Sequence, residues 1–156
     1  RDAGNANYNF STIGSGITTG TAYENRKTLN DQLKSLFDGD YELFTYHFAV
    51  YKTRNGRIVG KPLCCASFKL DTLNKRDSYR LRGMATDKNW QGRGLGSLLM
   101  SHAESFIANK TGVKLFWCNA RSSAVKFYYD RGWRAFSDEF EIKGVGPHHK
   151  MKKELV

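Results

Sequence analysis

The sequence predicts an α/β domain built on a mixed sheet with helices on its faces, and three observations support this. Aromatic and β-branched strand segments come first, and a strand–helix–strand–helix series follows in place of a regular alternation. The length of 156 residues suits one domain with one core. With 40% hydrophobic and 13% aromatic residues, the composition is typical of a globular protein and not of a disordered one.

The first part of the chain divides into an arm and a helix. Residues 1–20 are rich in Gly, Asn, Ser and Thr, which predicts a flexible N-terminal arm or a remnant foreign to the domain, with a short strand near Tyr8–Ile13. Residues 21–37 place leucines and Phe37 on one stripe at helical spacing. We therefore expect an arm over 1–20 and a single domain over 21–156.

Turn residues divide the next segment into strands. An aromatic and β-branched run predicts a strand over Tyr41–Thr53, and the hairpin signal Asn55-Gly56 leads to a return strand at Leu63–Leu70. Pro62 stands at the start of that strand, where its missing N–H does least harm. The polar segment DTLNKRDS is predicted as a turn before a strand at Tyr79–Thr86.

The second half of the chain alternates helix and strand. Apolar residues at helical spacing predict a helix from about Gly94 to about Lys110, and Ser122–Arg131 is a shorter helix ended by Gly132. The strands predicted around these helices are Val113–Cys118, Trp133–Phe136, Phe140–Lys143 and His148–Leu155.

Charge and cysteine content narrow the range of partners. The net charge of +10 favours a polyanion such as a nucleic acid, an anionic surface or a phosphorylated cofactor, although basic residues that only keep the domain soluble give the same number. The cysteines, Cys64, Cys65 and Cys118, lack metal-site spacing, so we expect reduced thiols, a cytoplasmic location and no metal. No apolar run approaches the roughly 18 residues of a membrane helix, so no membrane partner is expected.

The stretch NWQGRGLGSLLM, Asn89–Met100, places three glycines directly before the predicted helix. The first amides of a helix have no internal partners and its dipole is positive there, so glycines at this point let a phosphate approach the backbone. The Walker and G-x-G-x-x-G patterns both fail, whereas Q-x-x-G-x-G fits through Gln91, Gly94 and Gly96. An ordinary glycine-rich helix start is the alternative.

This turn resembles the coenzyme A pyrophosphate turn of the GNAT superfamily of acyl-CoA N-acyltransferases. A second segment, LFWCNARSSAVKFYYDRGW at Leu115–Trp133, is similar to the second GNAT signature, A-x-x-F-Y-x-x-x-G-aromatic. The residues that match it are Ala124, Phe127, Tyr128, Gly132 and Trp133. The resemblance covers about Tyr41 to Leu155 and implies a GNAT-like mixed, mostly antiparallel central sheet with helices on both faces.

The resemblance implies an N-acetyltransferase that moves an acetyl group from acetyl-CoA to a primary amine by direct attack in a ternary complex. In the family, backbone groups of the preceding strand pair with the pantetheine arm, which maps to Met84, Ala85 and Thr86. Tyr128 matches the tyrosine acid that faces the CoA sulfur, with core packing as the alternative role. The implied pyrophosphate turn comprises Gln91, Gly92, Arg93, Gly94, Leu95, Gly96 and Ser97.

Two positions depart from the family pattern. Arg121 stands where many members carry an asparagine that contacts CoA, and Asn119 is a candidate to replace it. Cys118 ends a strand near the expected thioester, where a covalent route through its sulfur competes with direct transfer. A small buried cysteine favours direct transfer.

The sequence does not identify the general base, because the strand that carries a glutamate in many members of the family here carries Arg80 and Arg82. His47, His148, His149 or an ordered water are the candidates.

The two arginines also bear on the acceptor. Being two residues apart on a strand, they share a face unless a bulge intervenes, and such a pair suits an acceptor with a carboxylate or phosphate. Contact with solvent or with the CoA phosphates is the alternative.

The acceptor class itself stays broad. The leading expectation is a small-molecule or peptide amine, and a homodimer is compatible with the resemblance. A toxin-like acetyltransferase acting on aminoacyl-tRNA and a non-catalytic domain that binds CoA or a partner are the alternatives. A nucleic acid partner is permitted by the charge but not favoured.

Overall fold

The computed structural model describes residues 13–15, for which only the backbone is considered, and residues 44–156. A short strand occupies Ile13–Ser15 and overlaps the strand expected near Tyr8–Ile13 only at Ile13. The remainder of the predicted arm over 1–20 and the predicted helix over 21–37 lie outside the described residues.

The described residues form one mixed sheet. Its strands are β1 (Ile13–Ser15), β2 (Thr45–Arg54), β3 (Arg57–Leu73), β4 (Arg76–Thr86), β5 (Leu115–Arg121), β6 (Arg134–Ala135), β7 (Phe140–Ile142) and β8 (Gly146–Glu154). Their spatial order is β1-β2-β3-β4-β5-β8-β6, and β7 also pairs with β8. Only β4 and β5 run parallel among the described pairs, so the predicted mixed and mostly antiparallel sheet is confirmed.

Two helices pack against the same core. Helix α1 (Leu95–Thr111) begins after Gly94 and ends at Gly112, whose φ of 78° provides the left-handed cap that a glycine adopts without steric cost. Helix α2 (Val125–Tyr129) follows a single 3₁₀ turn, so the predicted Ser122–Arg131 helix is shorter than expected. Within the described residues, no helix is long and apolar enough to span a membrane.

The hairpins are longer than the composition suggested. Asn55 and Gly56 form the expected turn with φ values of 51° and 74°. Strand β3 begins directly after them, so the expectation that Pro62 opens the strand is wrong. Pro62 lies where the register between β2 and β3 shifts, and such an irregularity tolerates its missing N–H.

The polar segment DTLNKRDS is mostly strand, which corrects the predicted turn. Asn74 and Lys75 alone make the reversal, with φ values of 49° and 64°. Pairing resumes at once with Leu73 opposite Arg76. Polar side chains are compatible with strands here because the tip of this hairpin is exposed on both faces.

The parallel pair opens soon after it forms. Strands β4 and β5 are in register only at Tyr79 with Phe116 and at Arg80 with Trp117. Beyond these pairs β4 continues to Thr86 and β5 to Arg121 without pairing to each other. The carboxyl ends of the two strands therefore leave a gap in the sheet, and the candidate site lies in this gap.

Candidate active site

The glycine turn is shaped by local hydrogen bonds. Asp87 accepts from the Asn89 amide at 2.8 Å through its side chain and from the Trp90 amide at 2.8 Å through its carbonyl. Gly92 and Gly94 then take φ values of 74° and 80°, a region that glycine enters freely. Because α1 starts at Leu95, the amides of its first turn have no acceptor within the helix and face outward.

These residues surround a cavity of about 670 Å³, which we call the turn cavity. It is bounded by the end of β4, the glycine turn, the start of α1 and helix α2. Gln91 holds the turn against the strand end, since its Nε2 donates to the Thr86 carbonyl at 3.3 Å. The predicted residues that line this cavity are Met84, Ala85, Thr86, Gln91, Gly92, Gly94, Leu95, Gly96, Ser97 and Tyr128.

Gly96 has a packing role that the sequence did not reveal. A Cβ at this position would lie 2.9 Å from Met84 Cε and 3.1 Å from Phe127 Cζ, both closer than carbon atoms normally approach. The first turn of α1 can therefore pack against β4 and α2 only if residue 96 has no side chain. In contrast, a Cβ on Gly92 or Gly94 would meet no atom of the described residues within 4 Å.

Tyr128 and Cys118 lie side by side in the gap. Tyr128 is 9% exposed and its hydroxyl is hydrogen-bonded to the Cys118 thiol. Burial, with a smaller contribution from Cys118, raises the pKa of Tyr128 well above its ordinary range. Burial likewise raises the pKa of Cys118 to about 12, although Arg80 and the hydrogen bond to Tyr128 oppose the shift. Both groups therefore carry their protons at neutral pH.

A second cavity, of about 540 Å³, lies on the other side of Tyr128, and we call it the arginine cavity. Its lining includes Arg80, Arg82, Arg121 and His148. It shares three lining residues with the turn cavity, namely Met84, Ala124 and Tyr128. The two cavities therefore adjoin along these three residues, Tyr128 among them, near the point where β4 and β5 separate.

The structure divides the other predicted site residues between these places. Asn119 and Arg121 line the arginine cavity and not the turn cavity, so neither is placed with the expected cofactor-binding group. Arg93 also lies outside the turn cavity lining and stacks over Trp90, with its guanidinium carbon 4.5 Å from the ring centroid.

Of the three candidate histidines, only His148 lines one of the two cavities. It is 4% exposed, and its Nδ1 lies 2.7 Å from the Gly146 carbonyl. A carbonyl only accepts, so Nδ1 carries the proton and Nε2 is left as an acceptor. His47 is buried on β2 against Ser67, and His149 contacts Ser122.

Sequence reasoning missed Trp90 and Arg131, which also line the turn cavity. Arg131 donates to the Phe127 carbonyl at 2.6 Å and lies over the Phe127 ring at 3.8 Å, while its Nε is buried without a hydrogen-bond partner among the described residues. Its position three residues after Tyr128 puts both on one side of a helical turn, which is the signal that could have identified it.

Comparison with known proteins identifies the family of the chain. Residues 42–155 match a family model described as an acetyltransferase (GNAT) domain, and this range is most of the chain. The chain therefore belongs to the GNAT acetyltransferase family, and the resemblance noted from the two motifs is confirmed.

A curated relative extends the match. A stretch of 83 residues is 41% identical to the uncharacterized N-acetyltransferase YitI of Bacillus subtilis (strain 168), covering 53% of this chain and 55% of that protein. The match thus spans about half the length of this relative.

Solved structures share the fold. The NatC complex bound to Gag peptide and CoA aligns with a TM-score of 0.67 and 14% identity over 94% of this chain and 100% of that chain. The histone acetyltransferase HPA2 and related acetyltransferase from Corynebacterium glutamicum aligns with a TM-score of 0.66 and 14% identity, over 94% of this chain and 98% of that chain.

Proposed function

We propose that this domain transfers the acetyl group of acetyl-CoA to a primary amine by direct attack, with both substrates bound at once. The observation that carries the proposal is the meeting of two cavities at one protonated tyrosine, Tyr128. The turn cavity suits the thioester, and the arginine cavity suits the amine. The family match and the relative named as an N-acetyltransferase support the same reaction.

The turn cavity supplies what acetyl-CoA needs. The free amides at the start of the 17-residue helix α1 and the guanidinium of Arg131 favour a pyrophosphate. Among the described residues, strand β4 has no partner on its β5 side after Arg80, so this open edge can pair with the pantetheine arm in the manner of an added strand. The solved NatC structure, which shares the fold, contains CoA.

The chemistry needs no covalent enzyme intermediate. The amine nitrogen attacks the thioester carbonyl carbon, the C–N bond forms, and the C–S bond breaks. The departing sulfur takes the proton of the neutral Tyr128 hydroxyl, and Tyr128 regains a proton from water before the next turnover. Cys118 is not the nucleophile in this scheme, since a pKa of about 12 leaves almost no thiolate at neutral pH.

His148 is our proposed base for the amine proton. It lines the arginine cavity and has a fixed tautomer with Nε2 as acceptor. An ordered water held by Nε2 would extend its reach to the amine.

The proposal is tested by following CoA release from acetyl-CoA with a panel of amines, using Tyr128→Phe and Tyr129→Phe proteins beside the wild type. Removing the Tyr128 hydroxyl should lower kcat by about 10²–10⁴-fold, the usual contribution of general acid catalysis, and leave CoA affinity unchanged. Tyr129 is 54% exposed and lines neither cavity, so Tyr129→Phe should behave as wild type.

Circular dichroism and calorimetric CoA titration would show that each variant is folded and binds. Full turnover by a folded Tyr128→Phe protein would reduce Tyr128 to a packing role. CoA binding without turnover on any amine would overturn the enzymatic function itself.

A further inference from the structure

The arginine cavity is strongly cationic. Arg80, Arg82 and Arg121 line it, and no aspartate or glutamate does so among the described residues. A cavity built to receive a cationic polyamine would carry carboxylates in these places. The charge of the lining therefore indicates the chemistry of the acceptor.

Strand pairing extends this positive charge across the sheet face. Residues opposite each other in a ladder share a face, and Arg80 lies opposite Lys69 on β3. On the other side of the gap Asn119 lies opposite Lys150. Asp71 also acts on Arg80 electrostatically, and it is the carboxylate that moderates the charge at this point.

Arg80 is held in place but is not fully satisfied. Its guanidinium carbon lies 4.7 Å from the centroid of the Trp117 ring, a cation–π contact that helps to hold the side chain. Its Nε and the Asn119 Oδ1 are buried without a hydrogen-bond partner in residues 44–156. Burial and the nearby Arg82 lower the pKa of Arg80, so an anion bound here would relieve an unfavourable environment.

Arg80 and Arg82 remain on one face of β4. The only register shift between β3 and β4 lies between Cys65 and Ser67, and Ser67 itself pairs with Arg82. The irregularity thus follows Arg82 along β4, at Gly83, whose φ is 66°. The two arginines therefore line one cavity together with Tyr128.

Resting on the proposed function, we propose that the acceptor is a small amine that also carries a carboxylate or a phosphate, with Arg80 and Arg82 binding the anionic group while the amine faces Tyr128. Guanidinium groups grip both anions in a bidentate manner. The cavity volume of about 540 Å³ is typical of small-molecule sites, which run from about 300 to 1,000 Å³.

Matched pairs of amines test this assignment. β-Alanine and β-alaninamide differ in a carboxylate, and O-phosphoethanolamine and ethanolamine differ in a phosphate. At least one anionic member should have a kcat/KM roughly 10- to 150-fold above its neutral partner, the gain expected from hydrogen bonds to a charged group. The two pairs also separate a carboxylate site from a phosphate site. Spermidine represents the cationic amines.

Variants of Arg82 test whether this residue binds the anionic group of the acceptor. Arg82→Ala should raise KM for the anionic amine roughly 10- to 150-fold and leave KM for acetyl-CoA and KM for the neutral partner unchanged. Arg82→Lys should recover part of the loss, because it keeps the charge but not the fork. Arg57→Ala is the matched control, since Arg57 is exposed at the β2–β3 hairpin and lines neither cavity.

The possible failures are distinguishable. Turnover that prefers spermidine or the neutral partners would overturn the anionic acceptor and leave the acetyltransferase proposal standing. Acetylation confined to aminoacyl-tRNA, with RNA binding that weakens steeply with salt, would overturn the small acceptor. No turnover with any amine despite CoA binding would overturn the proposed function.

Discussion

Tyr128 and Cys118 show how one environment can give two neighbouring groups different roles. Both are buried at the junction of the two cavities, and burial raises the pKa of each. For a tyrosine this preserves the proton that a leaving thiolate needs. For a cysteine the same burial removes the thiolate that a nucleophile needs. The protonation of these two residues therefore favours direct transfer over an acetyl-cysteine intermediate.

The role of Cys118 can be tested by removing its sulfur. We expect Cys118→Ala to keep kcat within about tenfold of wild type, because the direct route does not use the thiol; a lost buried sulfur should cost roughly 1 kcal/mol of stability. Stopped-flow turnover and thermal unfolding measure the two effects. The covalent route would be established instead if the wild-type protein gained the mass of one acetyl group and Cys118→Ala showed neither this mass increase nor turnover.

At the scale of elements, the start of α1 combines two different uses of glycine. Gly96 is required by protein packing, because Met84 and Phe127 occupy the space of a side chain. Gly94 has a φ of 80°, and a Cβ built on it would have no neighbour within 4 Å in the part of the chain that the structure describes. Since Gly94 lines the turn cavity, a side chain there would project into the space assigned to the pyrophosphate.

Gly94→Val should therefore weaken CoA binding by at least tenfold, a threshold equal to about 1.4 kcal/mol of binding free energy. Gly112→Val is a matched control, because Gly112 caps the other end of the same helix with a φ of 78° and equally open surroundings. Both variants carry the backbone strain of a left-handed valine, so calorimetry should find the loss of affinity only in Gly94→Val. Equal CoA affinities for the two proteins would contradict the turn as the pyrophosphate site.

For the whole molecule, a buried ion pair connects the helical layer to the sheet. Glu104 on α1 is 4% exposed, and its Oε1 lies 2.7 Å from the Nζ of Lys153 on β8. Its Oε2 accepts from Trp133 Nε1 at 3.2 Å. Replacing the carboxylate with an amide is costly, because Lys153 loses its counter-charge and the single amide oxygen can take the place of only one of the two carboxylate oxygens.

Glu104→Gln should lower the free energy of unfolding by about 2–4 kcal/mol, somewhat less than for a fully buried pair because Lys153 reaches solvent. The exposed pair between Arg76 and Glu154 offers the comparison. Glu154→Gln should cost about 1 kcal/mol or less, since exposed ion pairs contribute little. Urea unfolding of the two variants measures both values, and similar losses would show that Glu104 does not connect the layers.

The order and type of the described elements were largely predictable. Asn55-Gly56 and the helix after Gly94 follow from local backbone preferences, which act within a few residues. The wrong predictions lie where pairing with distant strands overrides such preferences. These are the strand start expected at Pro62 and the turn expected over the polar segment DTLNKRDS. Local composition contains no information on how long two strands remain in register.

The sequence by itself determined the family, because the spacing of the turn around Gly94 and the segment around Tyr128 is a property of the chain alone. Only the tertiary structure decided how the site is partitioned. The separation of β4 from β5 after Arg80 opens the gap, Asn119 lies away from the turn, and His148 lines the arginine cavity whereas His47 and His149 do not. These outcomes depend on which face and which side of the gap a residue occupies. That position is set by strand register between segments far apart in the chain.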